Sequence, residues 1–240
     1  RAAGQTVGMA FFQQSLGESL DLVLSPKPIH RHHGGIVMDC YSRPEPLYAE
    51  LCADLGRKFD LFHYWGPLAR AKVGRWISAA TLRILARPDA PDHLFVYLPS
   101  LDYDLQRHGP DSPQAAAALA ETLAQIEPLV AAAEAQGRGW LLTGDYAVEP
   151  VAPGDGAVFP NRILRAAGLF HTRETARMLY PDFFTARAFA IVDHQLAHVH
   201  VPDPADRPRV RDLLAAEPGV GEILDPAAQV ERDLHFPGRS

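Results

Sequence analysis

The chain has 240 residues, of which 47% are hydrophobic and 22% charged, and its formal net charge is −6. That length suits one α/β domain over residues 1–240, and the acidic balance argues against a nucleic-acid polymer, which is held through neutralised phosphates. No run of about 18 apolar residues offers itself to a bilayer, and two cysteines are too few for a disulfide framework, so a cytoplasmic protein without a membrane partner is expected.

Two short apolar runs, Val7 to Phe12 and Leu20 to Leu24, have the length of buried strands. Ser25-Pro26-Lys27-Pro28 breaks the chain, and a loop with His30, His32, His33 and a Gly pair follows. Such a tract is either a solvated polar loop or a metal or phosphate contact. Pro46 then opens a helix with Leu47, Leu51 and Leu55 at a spacing of four, stopped by Gly56. After a turn at Tyr64-Trp65-Gly66-Pro67, Leu68, Trp76, Ile77, Ala80 and Ile84 predict an amphipathic helix over 68–86.

Leu94 to Leu98 predicts the next strand, and it leads into Tyr97-Leu98-Pro99-Ser100-Leu101-Asp102-Tyr103-Asp104-Leu105-Gln106-Arg107-His108-Gly109-Pro110. Ser112-Pro113 is an N-cap and first-turn pair for an alanine-rich helix over 115–135. Its apolar stripe would be Leu119, Leu123, Ile126 and Val130, and Pro128 would kink or divide it. Trp140 to Thr143 predicts a strand ending at Gly144-Asp145-Tyr146. Strand, helix and strand make a right-handed βαβ unit with parallel strands, so Asp102 and Asp145 would emerge at one sheet edge, where open α/β sheets place ligands. Carboxylates gathered there either cap the segments that follow or share a cation such as Mg²⁺, Mn²⁺ or Zn²⁺.

Further on, Asn161 to Ala167 reads as a short helix closed by Gly168, and Thr172 to Leu179 as another. Ala188 to Val192 is strand-like and runs into Asp193-His194-Gln195-Leu196-Ala197-His198-Val199-His200. Continued as a strand, it would put His194, His198 and His200 on one face; wound as a helix, it would stack His194 under His198. Arg207 to Ala216 predicts a helix, 219–224 a turn and strand, and the tail beyond Asp225 is polar.

Tyr97, Asp102 and Gly109-Pro110, then Gly144-Asp145-Tyr146 and Asn161 through Gly168-Leu169, follow one another in an order that resembles the type I phosphodiesterase/nucleotide pyrophosphatase branch of the alkaline phosphatase superfamily. The likeness is best over about residues 90 to 225. It implies an alkaline-phosphatase-like three-layer core, a mostly parallel sheet with helices on both faces, and a two-metal phosphoryl-transfer site, usually zinc, with Mn or Mg as alternatives. By that likeness Asp102 and Asp145 would be metal ligands and Gln106, Tyr146 and Asn161 substrate contacts. Gln106 stands where the family has a metal-binding His and Tyr146 where the Asp-His pair has its His. A shifted register would use Asp104 and His108 instead, and His194 and His198 are further candidates. The family's nucleophile matches no residue here. With a first residue of Arg1, the expectation is a segment lacking the family's N-terminal nucleophile region and its C-terminal metal-histidine segment.

The leading expectation is therefore metal-dependent hydrolysis of phosphate esters, diesters or nucleotide pyrophosphates, on a small phosphorylated substrate. A divergent relative that binds a phosphorylated metabolite without turning it over is the alternative. A third is a separate metal site made by His30, His32, His33, His194 or His198.

Overall fold

The two N-terminal apolar runs pair in parallel as β1 (Val7–Ala10) and β2 (Leu22–Pro26), and β1 pairs in parallel on its other side with β6 (His93–Val96). A strand that the sequence reading passed over, β5 (Cys40–Arg43), adds antiparallel to β2, completing the order β5-β2-β1-β6. The two-residue strands β3 (Ile29–His30) and β4 (Ile36–Val37) close the histidine loop into a small hairpin. The computed structural model describes residues 4–12, 15–151 and 156–236. The chain divides into two compact units, Arg1–Val151 and Ala152–Ser240.

In the first unit, alternation decides the core. Ala10, Leu22 and Leu24 meet α1 (Leu47–Asp54) and α2 (Lys72–Leu85) through Leu47, Leu51, Val73, Trp76, Ile77 and Ile84. Leu94 and Val96 of β6 pack against the same cluster, while Phe95 between them is half exposed. Phe11 takes a left-handed φ of 65°, which a bulky residue rarely adopts. Packing holds it there: its ring is fully buried among Phe59, Tyr64 and Trp76 at 4.6 to 6.0 Å.

Past β6 come α3 (Ser100–His108) and α4 (Pro113–Ala135). Ser112 caps α4 as predicted, its Oγ accepting from the Ala115 N–H at 3.1 Å. Pro128 lies inside the helix without dividing it. The buried face is not the expected leucine stripe, however. Ala115, Ala118, Thr122, Gln125 and Ala133 are buried, whereas Leu119 and Leu123 are exposed. Small residues win because α4 packs closely on α2 and α3. By length and composition α4 is apolar enough to cross a membrane, contrary to the expectation that no such segment exists, because alanine raises its mean hydropathy.

Trp140 to Thr143 does not form the predicted strand. Arg138 Nη1 donates to the Pro91 carbonyl at 2.7 Å, so the segment starts beside the start of β6. No ladder forms, and Trp140, Leu141 and Leu142 are exposed. The predicted βαβ unit does not form: β6 is followed by α3, α4 and a segment without sheet pairing.

The second unit packs α5 (Pro160–Ala166) and α6 (Arg207–Ala215) with the hairpin of β9 (Phe189–Asp193) and β10 (Leu196–His200). Leu164, Leu169, Ala188, Val210 and Leu214 form its core. The expected helix over 172–179 is a hairpin instead, β7 (Thr172–Thr175) and β8 (Met178–Pro181). Its turn uses left-handed Ala176 and Arg177, with no Gly, Asn or Asp to signal it. No strand forms at 219–224, and Asp225 caps an unforeseen short helix, α7 (Pro226–Glu231).

Candidate functional site

Tyr97 to Pro110 begins just past the end of β6 and, after a three-residue link, folds as α3. Three contacts seat the helix. Ser100 is buried at its first residue, the Tyr103 hydroxyl donates to the Tyr64 carbonyl at 2.7 Å, and Arg107 Nη2 donates to the Pro67 and Ala69 carbonyls at 2.9 and 2.8 Å. Asp102, in the first turn, lies where the helix dipole favours a carboxylate. Gln106 is one turn further on, and its Nε2 donates to both Asp102 oxygens at 2.9 and 3.0 Å.

The extended segment after α4 completes the cluster. The Tyr146 hydroxyl donates to Asp102, and Tyr146 is pushed above its ordinary pKa by burial, by that hydrogen bond and by the charges of Asp102 and Asp145. Tyr97 is likewise raised, first by burial, then by Asp145 and Asp102. Two carboxylates therefore act on the same two phenols at the carboxyl end of β6. Both phenols stay protonated at neutral pH and are hydrogen-bond donors. The charges of Asp102 and Asp145 thus reach the same two phenols, although the second strand that was to deliver Asp145 does not form.

The other candidates are placed differently. Asp104 is two residues round α3 from Asp102, a turn of about 200°, and pairs with Arg107 at 3.7 Å and His108 at 3.8 Å. Asp104 and His108 thus share a face with each other and not with Asp102. In the second unit His194 occupies the hairpin turn at φ 53°, its Nδ1 2.7 Å from Asp193 Oδ1. The turn breaks the strand, so His194 does not continue the face of His198 and His200. The His200 ring stacks on Phe189 at 4.9 Å. Asn161, expected at a substrate, clips β9: its Nδ2 donates to the Ala190 carbonyl at 2.8 Å and its Oδ1 accepts from the Ala190 N–H at 2.7 Å. Both ends of its amide are occupied by backbone.

A family model for type I phosphodiesterase / nucleotide pyrophosphatase matches residues 3–239. The chain belongs to this family. No curated protein and no solved structure matches it. Type I phosphodiesterases and nucleotide pyrophosphatases are generally metal-dependent. No group of three or more His, Cys, Asp or Glu side chains among the described residues comes together to hold an ion. Gln106, Tyr97 and Tyr146, an amide and two phenols, stand with Asp102 and Asp145 and are poorer ligands than imidazole or carboxylate for zinc. The described residues do not make a complete metal site.

Sequence reasoning missed the groups that seat α3: Ser100, Tyr103 and Arg107. A signal existed for Ser100 alone: the glycine inside α2 at position 74, which helix propensity disfavours and which stands against Ser100.

Proposed function

We propose that this chain acts in hydrolysis of phosphate diesters or nucleotide pyrophosphates on small phosphorylated substrates, with Asp102 and Asp145 at the reacting edge. What supports the reading is that the charges of both carboxylates reach Tyr97 and Tyr146 past β6 and raise both phenols, in the motif order of the family matched over residues 3–239. Tyr97, held protonated, would donate to a phosphoryl oxygen. Gln106 and Tyr146 orient the Asp102 carboxylate. A phosphoryl group beside two carboxylates needs positive charge, and Arg107 of the same helix is tied to backbone carbonyls and Asp104. Two carboxylates are this chain's contribution toward a divalent cation, with Zn as first choice and Mn or Mg as alternatives. The full three-layer core with helices on both faces belongs to this reading and is supported by the family match. So is a cytoplasmic setting, supported by Cys40 and Cys52 both being free thiols.

The test is hydrolysis of a panel of aryl phosphate diesters and a dinucleotide pyrophosphate with added Zn²⁺ or Mn²⁺ and with chelator. Chelator-sensitive turnover that Asp102→Asn or Asp145→Asn each lowers at least about 100-fold is expected. Wild-type rates in either variant would remove that residue from the site. A second reading, binding of a phosphorylated metabolite without turnover, is favoured by one observation: Gln106 and Tyr146 already occupy the Asp102 oxygens. Calorimetric binding of a phosphate ester with no metal in the purified protein, and no turnover, would support it over the first.

A further inference from the structure

Gly74 lies in the first turn of α2, where most residues would serve the helix better. Its neighbours explain it. A Cβ at position 74 would fall 2.1 Å from Gln125 Oε1 and 2.1 Å from Ser100 Oγ. Gln125 comes from the middle of α4, and Ser100 is the first residue of α3; they are 3% and 2% exposed. Three helices meet here on buried polar groups.

The network is saturated. Ser100 Oγ donates to Gln125 Oε1 at 3.0 Å. Gln125 Nε2 donates to Glu121 Oε1 at 3.0 Å and reaches the Ala71 carbonyl at 3.4 Å. The Gln125 carbonyl accepts from Ser78 Oγ at 2.7 Å. No buried side-chain donor or acceptor among the described residues lacks a partner. Inside protein such bonds are strong, and leaving one unmade is costly, so the arrangement is rigid.

We propose that Gln125 is a positioning residue for Asp102, acting through Ser100. Ser100 and Asp102 stand on opposite sides of the first turn of α3, so the side that grips α4 is the one opposite the Asp102 carboxylate. Tyr103 and Arg107 anchor α3 to the segment of Tyr64, Pro67 and Ala69, and the Ser100–Gln125 bond supplies the remaining constraint at the helix start. Without it α3 can roll about the other two anchors. A roll of about 15° moves a carboxylate about 6 Å from the helix axis by about 1.5 Å, and a misplacement of about 1 Å is worth about 100-fold in rate.

This inference rests on Asp102 being a site residue, and its test has a readout that survives the loss of that assignment. The full chain is labelled with fluorotyrosine, and the Tyr146 fluorine signal is identified by its disappearance in Tyr146→Phe. Ser100→Ala and Gln125→Leu are compared with Ser78→Ala, which removes a bond to the Gln125 backbone and leaves the Gln125–Ser100 bond intact. Ser100→Ala and Gln125→Leu should shift or broaden the Tyr146 signal and, where turnover of an aryl diester is measurable, lower kcat about 10- to 100-fold with KM within about twofold. Ser78→Ala should leave both at wild-type values, whatever it does to melting temperature. If Ser78→Ala changes the signal as much as Ser100→Ala does, or if neither Ser100→Ala nor Gln125→Leu moves it, the positioning role is refuted. If the diester is not turned over at all, the proposed function fails, and the fluorine signal still decides the positioning role.

Discussion

Gly74→Ala tests the packing of three helices with one methyl group. Helix propensity alone makes alanine better than glycine by at most about 1 kcal/mol, so a surface reading of α2 predicts a more stable protein. The structure predicts the reverse. The new Cβ would stand 2.1 Å from both Gln125 Oε1 and Ser100 Oγ, and 2.9 Å from Gln125 Cδ. Nothing can yield cheaply, because both side chains are buried and bonded. Overpacking of this kind costs about 1–3 kcal/mol, and displacing Gln125 forfeits a hydrogen bond of about 1 kcal/mol net. Set against the propensity gain, the balance is a loss of about 2 kcal/mol. For a unit of this size that lowers the melting temperature by roughly 4–8 °C. Urea unfolding monitored by tryptophan fluorescence measures it, since Trp76 sits in the core that α2 helps to build. Gly74→Ala combined with Gln125→Ala should cost less than the sum of the two, with a coupling of about 1 kcal/mol. A Gly74→Ala protein more stable than wild type would show that the three-helix contact is not as described.

Three further outcomes are expected. Asp206 is 5% exposed and accepts from Arg187 Nε at 2.9 Å; Asp206→Ala should destabilise the second unit by about 2 kcal/mol, and no change in urea midpoint would deny the pair a structural role. The Cys40 thiol is pushed well above the ordinary thiol range, by burial first and by the Asp39 charge next, against a hydrogen bond from Tyr48 that lowers it. Alkylation of Cys40 near pH 8, read by peptide mass, should then be at least about tenfold slower in native protein than in urea, and equal rates would contradict its burial. The Asp92 carboxyl is held below its ordinary range, first by the Thr6 N–H and then by the Thr6 hydroxyl. Its stabilisation is therefore present above the unfolded carboxyl value of about 4 and is lost as pH falls through the lower folded value. Asp92→Asn should flatten the acid limb of stability against pH, and an unchanged limb would count against the link between β1 and β6.

Patterns carried in short range were legible. The strands β1 and β2 came from two apolar runs bounded by turns, and α1, α4 and α6 from periodicity, caps and Pro–Gly punctuation. Signals that depended on a partner misled. The hairpin at 172–181 has no residue suited to its turn and is held by the pairing of β7 with β8. Trp140 to Leu142 is apolar enough for a strand and yet makes no ladder, because a strand exists only where a neighbour accepts its hydrogen bonds. The family's motif order puts Asn161 at a substrate, and nothing in its vicinity along the chain reveals that Ala190, 29 residues on, takes both ends of its amide.

By itself the sequence determined the family, through the order in which Tyr97, Asp102, Gly109-Pro110 and Gly144-Asp145 follow one another, and several of the helices and strands. Those follow from residue type and spacing, which are properties of the chain alone. Tertiary structure decided what these residues can do. It assigned Asp102 to Gln106 and Tyr146 rather than to a cluster of metal ligands, turned Asp104 and His108 away round α3, and buried small residues of α4 instead of its leucines. The reason is common to all three. Which face of a helix is used depends on what packs against it, and that contact joins residues far apart in the chain.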